Sequence, residues 1–253
     1  MEKMGSKLKS LLKRWPALYR LAQTQLWKIR KLRERRLGLP MEEFAEAWWA
    51  KRHQREGRDW VMSYWDTRND PHRVLLLKEL EGFSPFTSVL EVGANCGPNL
   101  YVIAKKFPNI VVRGIDINPT AVEMGNALLA QEGIRNAEIF TGPAGDLSQF
   151  ADKSFDIVFT NAVLVHVGSD KIEGVVREML RVAKKALVLI ERHRELAADP
   201  RGLGVRAEYT YPCDWDRNYR ALLRRFVPEN NISLYKVPKE IWTDEWYCVK
   251  ARL

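Results

Sequence analysis

The sequence has few cysteines and no long apolar run, and both absences limit what it can encode. Cys96, Cys213 and Cys248 are isolated and odd in number, with no Cys-x-x-Cys pair. This pattern favours reduced thiols in the cytoplasm. No apolar run approaches the roughly 20 residues that span a bilayer. Charged residues interrupt every early apolar stretch, so we expect no signal peptide.

The net positive charge of the chain is confined to its first residues. Residues 1–36 contain twelve Lys and Arg against two Glu, a net charge of +10, so the remainder sums to −1 of the total +9. Their apolar and basic side chains alternate at helical spacing, which predicts an amphipathic basic helix. Such a helix could lie on an anionic membrane, pack on its own domain or a partner, or bind nucleic acid. Trp15, Tyr19 and Trp27 favour the membrane, and nucleic acid is the least favoured partner.

Residues 88–100 (SVLEVGANCGPNL) predict a buried strand, a tight glycine turn and the start of a helix. Gly93 and Gly97 let a ligand approach the backbone, and the helix that follows presents unpaired N–H groups. A second strand is predicted over residues 109–115 and ends at Asp116, which could accept hydrogen bonds from both hydroxyls of a ribose. Alternatively, Asp116 could be a surface residue that caps the next helix.

These residues resemble the class I S-adenosylmethionine-dependent methyltransferases over residues 88–191. The family motif acid-x-Gly-x-Gly-x-Gly falls on Glu91, Gly93, Asn95 and Gly97, with Asn95 in the place of the middle glycine. Asn adopts the left-handed backbone conformation more readily than most residues, so the replacement is tolerable. The resemblance implies S-adenosylmethionine as the cofactor. We expect no metal ion, because the sequence places no cluster of two or three acids at the sheet edge.

The resemblance also implies which residues contact the cofactor. Relatives often carry an acid after the third strand, where this chain has Pro143, so the adenine contact would fall to Asp146 or to the backbone at Ala144. Asp146 could equally be a solvated turn residue. The predicted cofactor-binding residues are Glu91, Gly93, Ala94, Asn95, Gly97, Asn99, Asp116, Ile117, Ala144, Asp146, Asn161 and Ala162.

The alternation of strands and helices predicts an α/β fold with a doubly wound, mostly parallel seven-stranded sheet, an antiparallel last strand and an N-terminal helical extension. We divide the chain into a basic amphipathic extension (residues 1–38), a helical lid or cap (39–84) and a class I methyltransferase domain (85–253). The predicted strands after the second cover residues 137–141, 155–161, 186–191, 232–237 and 246–253.

Three side chains near the carboxyl edge of the sheet are candidate general bases: His166, Glu191 and His193. A hydroxyl acceptor must lose its proton as the new bond forms, and an imidazole titrates near neutral pH. His166 could instead fix its loop by hydrogen bonds. Asn161 lacks a following Pro-Pro-aromatic sequence, which argues against methylation of exocyclic amines in DNA.

Two further stretches are predicted to contact the acceptor. Tyr64, Arg68 and His72 precede the first strand and are lid candidates, and Tyr209 and Tyr211 in a long insertion could stack on a sugar. With the basic helix, these residues suggest O-methylation of a membrane-associated glycan or lipid-linked saccharide. A soluble small-molecule metabolite is the alternative, and RNA is less favoured. We expect a cytoplasmic protein, free or bound peripherally to the membrane.

Overall fold

The computed structural model describes residues 41–196, 199–206, 214–242 and 245–253. The predicted basic extension over residues 1–38 lies outside them. Within the described ranges, no helix is both long and apolar enough to cross a bilayer.

Strands and helices alternate along the chain, as the sequence periodicity predicted. The strands are β1 (Ser88–Val92), β2 (Val111–Asp116), β3 (Ala137–Thr141), β4 (Phe155–Asn161), β5 (Ala183–Arg192), β6 (Val205–Arg206), β7 (Trp215–Asp216), β8 (Ile232–Lys236) and β9 (Trp246–Arg252). The helices are α1 (Met41–Ala50), α2 (Arg52–Glu56), α3 (Asp59–Trp65), α4 (Pro71–Glu81), α5 (Pro98–Lys106), α6 (Pro119–Gln131), α7 (Ile172–Val182) and α8 (Tyr219–Leu223).

Seven of these strands form one sheet in the order β3-β2-β1-β4-β5-β9-β8. Strands β1 to β5 are parallel, and β9 runs antiparallel to both of its neighbours. The predicted fold is therefore confirmed. The short antiparallel pair β6-β7 was not predicted, and it lies in the insertion after β5.

Two hydrophobic layers cover the sheet. Helices α3 to α6 pack on one face, and α7 and α8 pack on the other. Every residue of β1 and β4 is buried, as expected for central parallel strands with helices on both faces. The chain order reverses between these two strands, since β2 and then β3 follow outward from β1, whereas β5 follows outward from β4. Ligands bind at the carboxyl ends of the strands at such a reversal point.

The predicted lid over residues 39–84 contributes to both the core and the cavity. Helices α3 and α4 contribute Trp65, Leu76 and Leu80 to the core, where each is at most 2% exposed. Burial of a large apolar side chain contributes about 1.5–3 kcal/mol, so these helices belong to the domain. Among the described side chains of this segment, those of α1, Arg52 and Tyr64 reach the cavity described next.

Candidate active site

A cavity of about 850 Å³ opens at the carboxyl ends of β1, β2 and β4. Its position follows from the topology, because the diverging connections after β1 and β4 leave a space between them. Eight of the predicted cofactor residues line it: Gly93, Asn95, Asp116, Ile117, Ala144, Asp146, Asn161 and Ala162.

The turn after β1 brings bare backbone to the cavity. Gly93 has a φ of +82°, and a Cβ there would lie 2.4 Å from a methyl carbon of Val163. Only glycine therefore allows the turn and the loop after β4 to pack this closely. Asn95 has a φ of +52°, which confirms the predicted left-handed conformation, and its Oδ1 accepts a hydrogen bond from the Cys96 N–H at 2.8 Å.

Asp116 joins this turn to the next one. Its two carboxylate oxygens accept hydrogen bonds from the N–H groups of Asn95 (2.7 Å) and Asn118 (2.8 Å). Burial raises the pKa of this carboxyl above its usual value, while the two N–H groups oppose the rise. A carboxylate has about four acceptor positions, so Asp116 keeps capacity for ligand hydroxyls on the cavity side.

Four predicted cofactor residues do not line the cavity, and the structure corrects their role. Ala94 and Gly97 face the core, because Ala94 packs on Gly114 and a Cβ at Gly97 would lie 2.8 Å from Ile139. Glu91 and Asn99 are joined by a buried hydrogen bond of 2.6 Å beneath the turn. All four therefore support the turn from behind.

Arg73 completes that support, and sequence reasoning missed it. It is 1% exposed and donates hydrogen bonds to Asn99 Oδ1 at 2.5 Å and to the carbonyl of Thr67 at 2.7 Å. The signal was available, because Arg73 shares its spacing with Leu76 and Leu80 and so lies on the buried face of α4.

At the other end of the cavity, polar groups after β3 and β4 are available to a ligand. Among the described residues, Asn161 Oδ1 is buried without a hydrogen-bond partner, although Asn161 lines the cavity. A buried polar atom without a partner requires an explanation, and a group bound in the cavity would supply one. Asp146 also lines the cavity but is exposed, and hydrogen bonds from Ser148 lower the pKa of its carboxyl. Asp146 thus belongs to a solvated turn and also lines the cavity.

His166 lies on a short 3-10 turn after β4 and faces Asp214. Its Nδ1 is 3.0 Å from Asp214 Oδ1, and its ring lies 4.7 Å from that of Trp49. Arg192 is 3.6 Å from the other oxygen of Asp214. All four residues line the cavity. We call His166 and Asp214 the dyad.

The dyad resembles a general base held by an acid, because the Nδ1 of His166 faces the carboxylate of Asp214. Sequence reasoning proposed His166 but missed Asp214, which lies in the long insertion after β5. The only signal was the acidic Asp-x-Asp pattern at Asp214 and Asp216.

The structure corrects the other two candidate bases. Glu191 is fully buried, lies outside the cavity lining, and accepts hydrogen bonds from the N–H groups of Val163, Leu164 and Val165. His193 is also buried away from the cavity, and its Nδ1 accepts a hydrogen bond from the Tyr219 N–H at 3.1 Å. Burial lowers the pKa of His193. Neither side chain can reach a molecule in the cavity.

Helix α1 covers part of the cavity. Asn118 Nδ2 donates to the carbonyl of Trp49 at 2.8 Å, and Lys171 pairs with Glu46 at 3.0 Å. Arg52 also lines the cavity, with its guanidinium 5.0 Å from the ring of Trp49. This cover lies within the predicted lid segment, residues 39–84, but before the lid candidates Tyr64, Arg68 and His72.

Of the three predicted lid residues, only Tyr64 lines the cavity. Arg68 packs instead against the rings of Trp65 and Tyr101, at 5.4 and 5.8 Å. His72 packs on Trp242 at 4.5 Å, and burial lowers its pKa to about 4. The lid assignments of Arg68 and His72 are therefore wrong.

The predicted sugar-stacking residues Tyr209 and Tyr211 lie outside the described residues. In the part of the chain that is described, no group of three or more His, Cys, Asp or Glu is arranged to hold a metal ion.

Comparison with known proteins agrees with this geometry. Residues 89–186 match a family model described as a methyltransferase domain. The chain is 32% identical over 125 residues to ajmaline N-methyltransferase of Rauvolfia serpentina, which covers 48% of this chain and 42% of that protein. It is 30% identical over 110 residues to EEF1A lysine methyltransferase 2 of Danio rerio, covering 40% of this chain and 46% of that protein. The chain thus matches less than half the length of these relatives.

Structural similarity to known proteins covers more of the chain than these sequence matches do. An O-methyltransferase family protein from Burkholderia thailandensis superposes with a TM-score of 0.58 at 14% identity, covering 78% of this chain and 59% of that one. At this level of identity the likeness concerns the fold.

Proposed function

Residues 89–186 belong to the class I S-adenosylmethionine-dependent methyltransferases, whose cofactor is S-adenosylmethionine, and from this premise we propose that the chain transfers the cofactor's methyl group to a hydroxyl. The sequence predicted this family and this cofactor, and the family match confirms both. The observation that carries the choice of a hydroxyl is the His166–Asp214 contact of 3.0 Å at the cavity.

The cavity residues fit the cofactor. Asp116 has acceptor capacity for ribose hydroxyls, Gly93 and Asn95 present backbone to the ligand, and Asn161 holds a buried oxygen that lacks a partner among the described residues. Bound S-adenosylmethionine supplies an activated methyl group with a leaving group already attached. The protein's remaining tasks are to orient the acceptor and to exclude water.

The dyad performs the step that a hydroxyl acceptor adds. His166 Nε2 accepts the hydroxyl proton as the oxygen–carbon bond forms, and the Asp214 carboxylate stabilises the imidazolium produced. A positioned base of this kind accelerates transfer by about 10²- to 10⁴-fold. Trp49 and Arg192 flank the dyad and limit how an acceptor can approach it.

Calorimetric titration tests the cofactor. S-adenosylmethionine and S-adenosylhomocysteine should bind in the micromolar range, equivalent to about −8 kcal/mol. Tight binding of NAD with no binding of either would contradict the proposal. Release of S-adenosylhomocysteine with any acceptor then separates an enzyme from a fold that only binds the cofactor.

For the acceptor, we propose a hydroxyl of a membrane-associated glycan or lipid-linked saccharide. The support is the net charge of +10 in residues 1–36, since each Lys or Arg near an anionic leaflet contributes about 1 kcal/mol. In this proposal the protein is cytoplasmic and binds the membrane peripherally.

Vesicle co-sedimentation tests the membrane proposal. Full-length protein should pellet with anionic vesicles at low salt, dissociate as salt rises, and stay in the supernatant once residues 1–38 are removed. Neutral vesicles are the control. If full-length protein does not pellet with anionic vesicles, the membrane part of the proposal is wrong.

A soluble small-molecule acceptor is the second candidate. The likeness to ajmaline N-methyltransferase favours it, and so do the aromatic walls formed by Trp49, Tyr64 and Trp246. Methyl transfer to soluble metabolites by protein without residues 1–38, at the full-length rate, would select this candidate. RNA is third, and RNase-sensitive release of S-adenosylhomocysteine would identify it.

A further inference from the structure

The loop that carries His166 is held by two fully buried charged side chains. Glu191 at the end of β5 and Arg217 after β7 are both 0% exposed. Neither lines the cavity, and neither is a candidate to touch a substrate. Burying an ionisable side chain costs several kcal/mol unless its hydrogen bonds are satisfied. Burial raises the pKa of Glu191, while hydrogen bonds from the backbone oppose the rise, so two such groups beside one short loop require an explanation.

Glu191 binds the N–H groups of the loop. One carboxylate oxygen accepts from Val163 at 2.9 Å and from Leu164 at 3.0 Å, and the other accepts from Val165 at 3.3 Å. These three N–H groups precede His166 directly. The carboxylate therefore fixes the direction in which the loop leaves β4, after the strained Ala162 with its φ of +60°.

Arg217 binds the carbonyl groups of the same loop. Its two terminal nitrogens donate to the carbonyls of Leu164 and Val167, on either side of His166, and its Nε donates to Leu203 at 3.0 Å. In the described part of the chain, no carboxylate lies within 4 Å of this guanidinium. Each of its three nitrogens therefore donates to a backbone carbonyl.

Arg217 also connects the two halves of the dyad. It stands three residues after Asp214, and its own carbonyl accepts a hydrogen bond from the Arg194 N–H at 2.9 Å, which ties residues 214–217 to the chain that continues from β5. The segment that carries Asp214 is thus joined to the loop that carries His166. A shift in either one would change the 3.0 Å contact.

We propose that Glu191 and Arg217 are positioning residues that hold residues 163–167 by their N–H and carbonyl groups and so set the orientation of His166 toward Asp214. This inference rests on the proposed role of the dyad as a base. The two residues act through the loop, which explains why charged groups are used at a site that no substrate reaches.

The structure offers a way to disturb Arg217 without replacing it. Gly204 has a φ of +107°, and a Cβ there would lie 2.9 Å from Arg217 Nε. Gly204→Ala should therefore displace the guanidinium, as Arg217→Lys removes its forked geometry. Gly133→Ala is the matched control, because Gly133 has a φ of +73° but nothing within 4 Å of the added methyl group. Arg225→Lys, in a surface pair with Glu173, is the control for Arg217→Lys.

The readouts concern the loop in the free protein and need no acceptor. Ring ¹⁵N spectra of the four histidines, with His166 assigned by its loss in His166→Gln, report the tautomer held by Asp214. Amide hydrogen exchange at residues 163–165 reports the loop itself. In Arg217→Lys and Gly204→Ala we expect averaging of the His166 tautomers and about tenfold faster exchange at these amides, with both unchanged in the controls.

Binding of S-adenosylhomocysteine should stay within about threefold of wild type in both variants. Unchanged His166 ring signals and amide exchange in folded Arg217→Lys and folded Gly204→Ala would overturn the inference. If one variant fails to fold, the other decides. Failure of the proposed function is a separate result, because it appears as absent cofactor binding in the wild-type protein.

Discussion

The two walls of the cavity are built in different ways. The turn wall, residues 93–97 and 116–118, holds its shape by backbone geometry and by one carboxylate that accepts two N–H groups. The dyad wall, residues 161–167 with Arg192 and Asp214, depends on side chains from segments far apart in the chain. A backbone wall suits a ligand that is always the same, whereas a side-chain wall can be varied for different acceptors.

The difference also separates the expected consequences of mutation. Changes in the turn wall should alter cofactor affinity, and changes in the dyad wall should alter turnover. A variant in one wall that lowers cofactor affinity and turnover equally would contradict this separation of roles.

His166→Gln should have the largest effect, on turnover. Loss of the base should lower kcat by about 10²- to 10⁴-fold, while S-adenosylhomocysteine affinity stays within about threefold. Calorimetry and the release of S-adenosylhomocysteine with an acceptor of the wild-type protein measure the two quantities. Unchanged kcat in a folded variant would reduce His166 to a residue that only fixes its loop.

Gly93→Ala should have the largest effect on cofactor binding. The added methyl group would meet Val163 at 2.4 Å, in a left-handed conformation that L-residues adopt at a cost of about 1–2 kcal/mol. We expect at least about a 30-fold loss of S-adenosylhomocysteine affinity, since overpacking adds roughly 1–3 kcal/mol to that strain.

Gly133→Ala separates backbone strain from close packing as causes of the loss predicted for Gly93→Ala. It carries similar backbone strain with open space around the methyl group, so it should lower stability slightly and leave cofactor affinity unchanged. Equal losses of affinity in the two variants would show that close packing against Val163 is irrelevant.

The same difference explains what the sequence could predict. Gly93, Asn95 and Asp116 lie at the ends of strands, so their position follows from local periodicity and topology. Asp214 meets His166 only because a long insertion folds back, and no local pattern fixes that contact. Glu191 was assigned to catalysis because it ends a strand at the correct edge of the sheet. The side of the strand on which its carboxylate lies could not be read from the sequence.

The lid shows a second limit of the sequence. Arg68 and His72 were chosen because charged and aromatic residues precede the first strand, but Arg73 is the residue that reaches beneath the turn. Its burial follows from the helical face that it shares with Leu76 and Leu80. Selection by side-chain chemistry pointed to Arg68 and His72. Selection by position on the buried face of the helix would have pointed to Arg73.

Asp116→Ala should have an intermediate effect within the turn wall. Loss of acceptors for the Asn95 and Asn118 N–H groups and for ribose hydroxyls should weaken cofactor binding by about 1.5–3 kcal/mol. Asp146→Ala is the control, and because Asp146 is exposed its effect should stay below about 1 kcal/mol. Calorimetry with S-adenosylhomocysteine measures both. A larger effect at Asp146 would move the main polar contact to the region after β3.

A pH-dependent change in stability, with no expected change in the acceptor site, should come from Glu91, the acid buried beneath the turn wall. Burial raises its pKa to about 8, while the hydrogen bond from Asn99 and the charge of Arg73 oppose the rise and Asp116 adds to it. The pKa in the folded state is thus above that in the unfolded chain, which is about 4.3. The protonated carboxyl is the form that the fold favours, so its contribution is complete below the unfolded pKa and is lost as pH rises toward 8. The loss is at most about 1.4 kcal/mol per pH unit.

Glu91→Gln tests that dependence, because an amide keeps the acceptor for Asn99 and cannot ionise. Between pH 5 and pH 8, about the span between the two pKa values, the free energy of unfolding of the wild type should fall relative to that of Glu91→Gln. Urea unfolding at several pH values measures the difference. Glu79→Gln is the control, because the pKa of Glu79 is lowered despite partial burial, through its hydrogen bonds with Lys250 and Tyr235. Parallel pH profiles of the wild type and Glu91→Gln would mean that Glu91 stays ionised beneath the turn, and the turn wall would then rest on a buried charge as the dyad wall does.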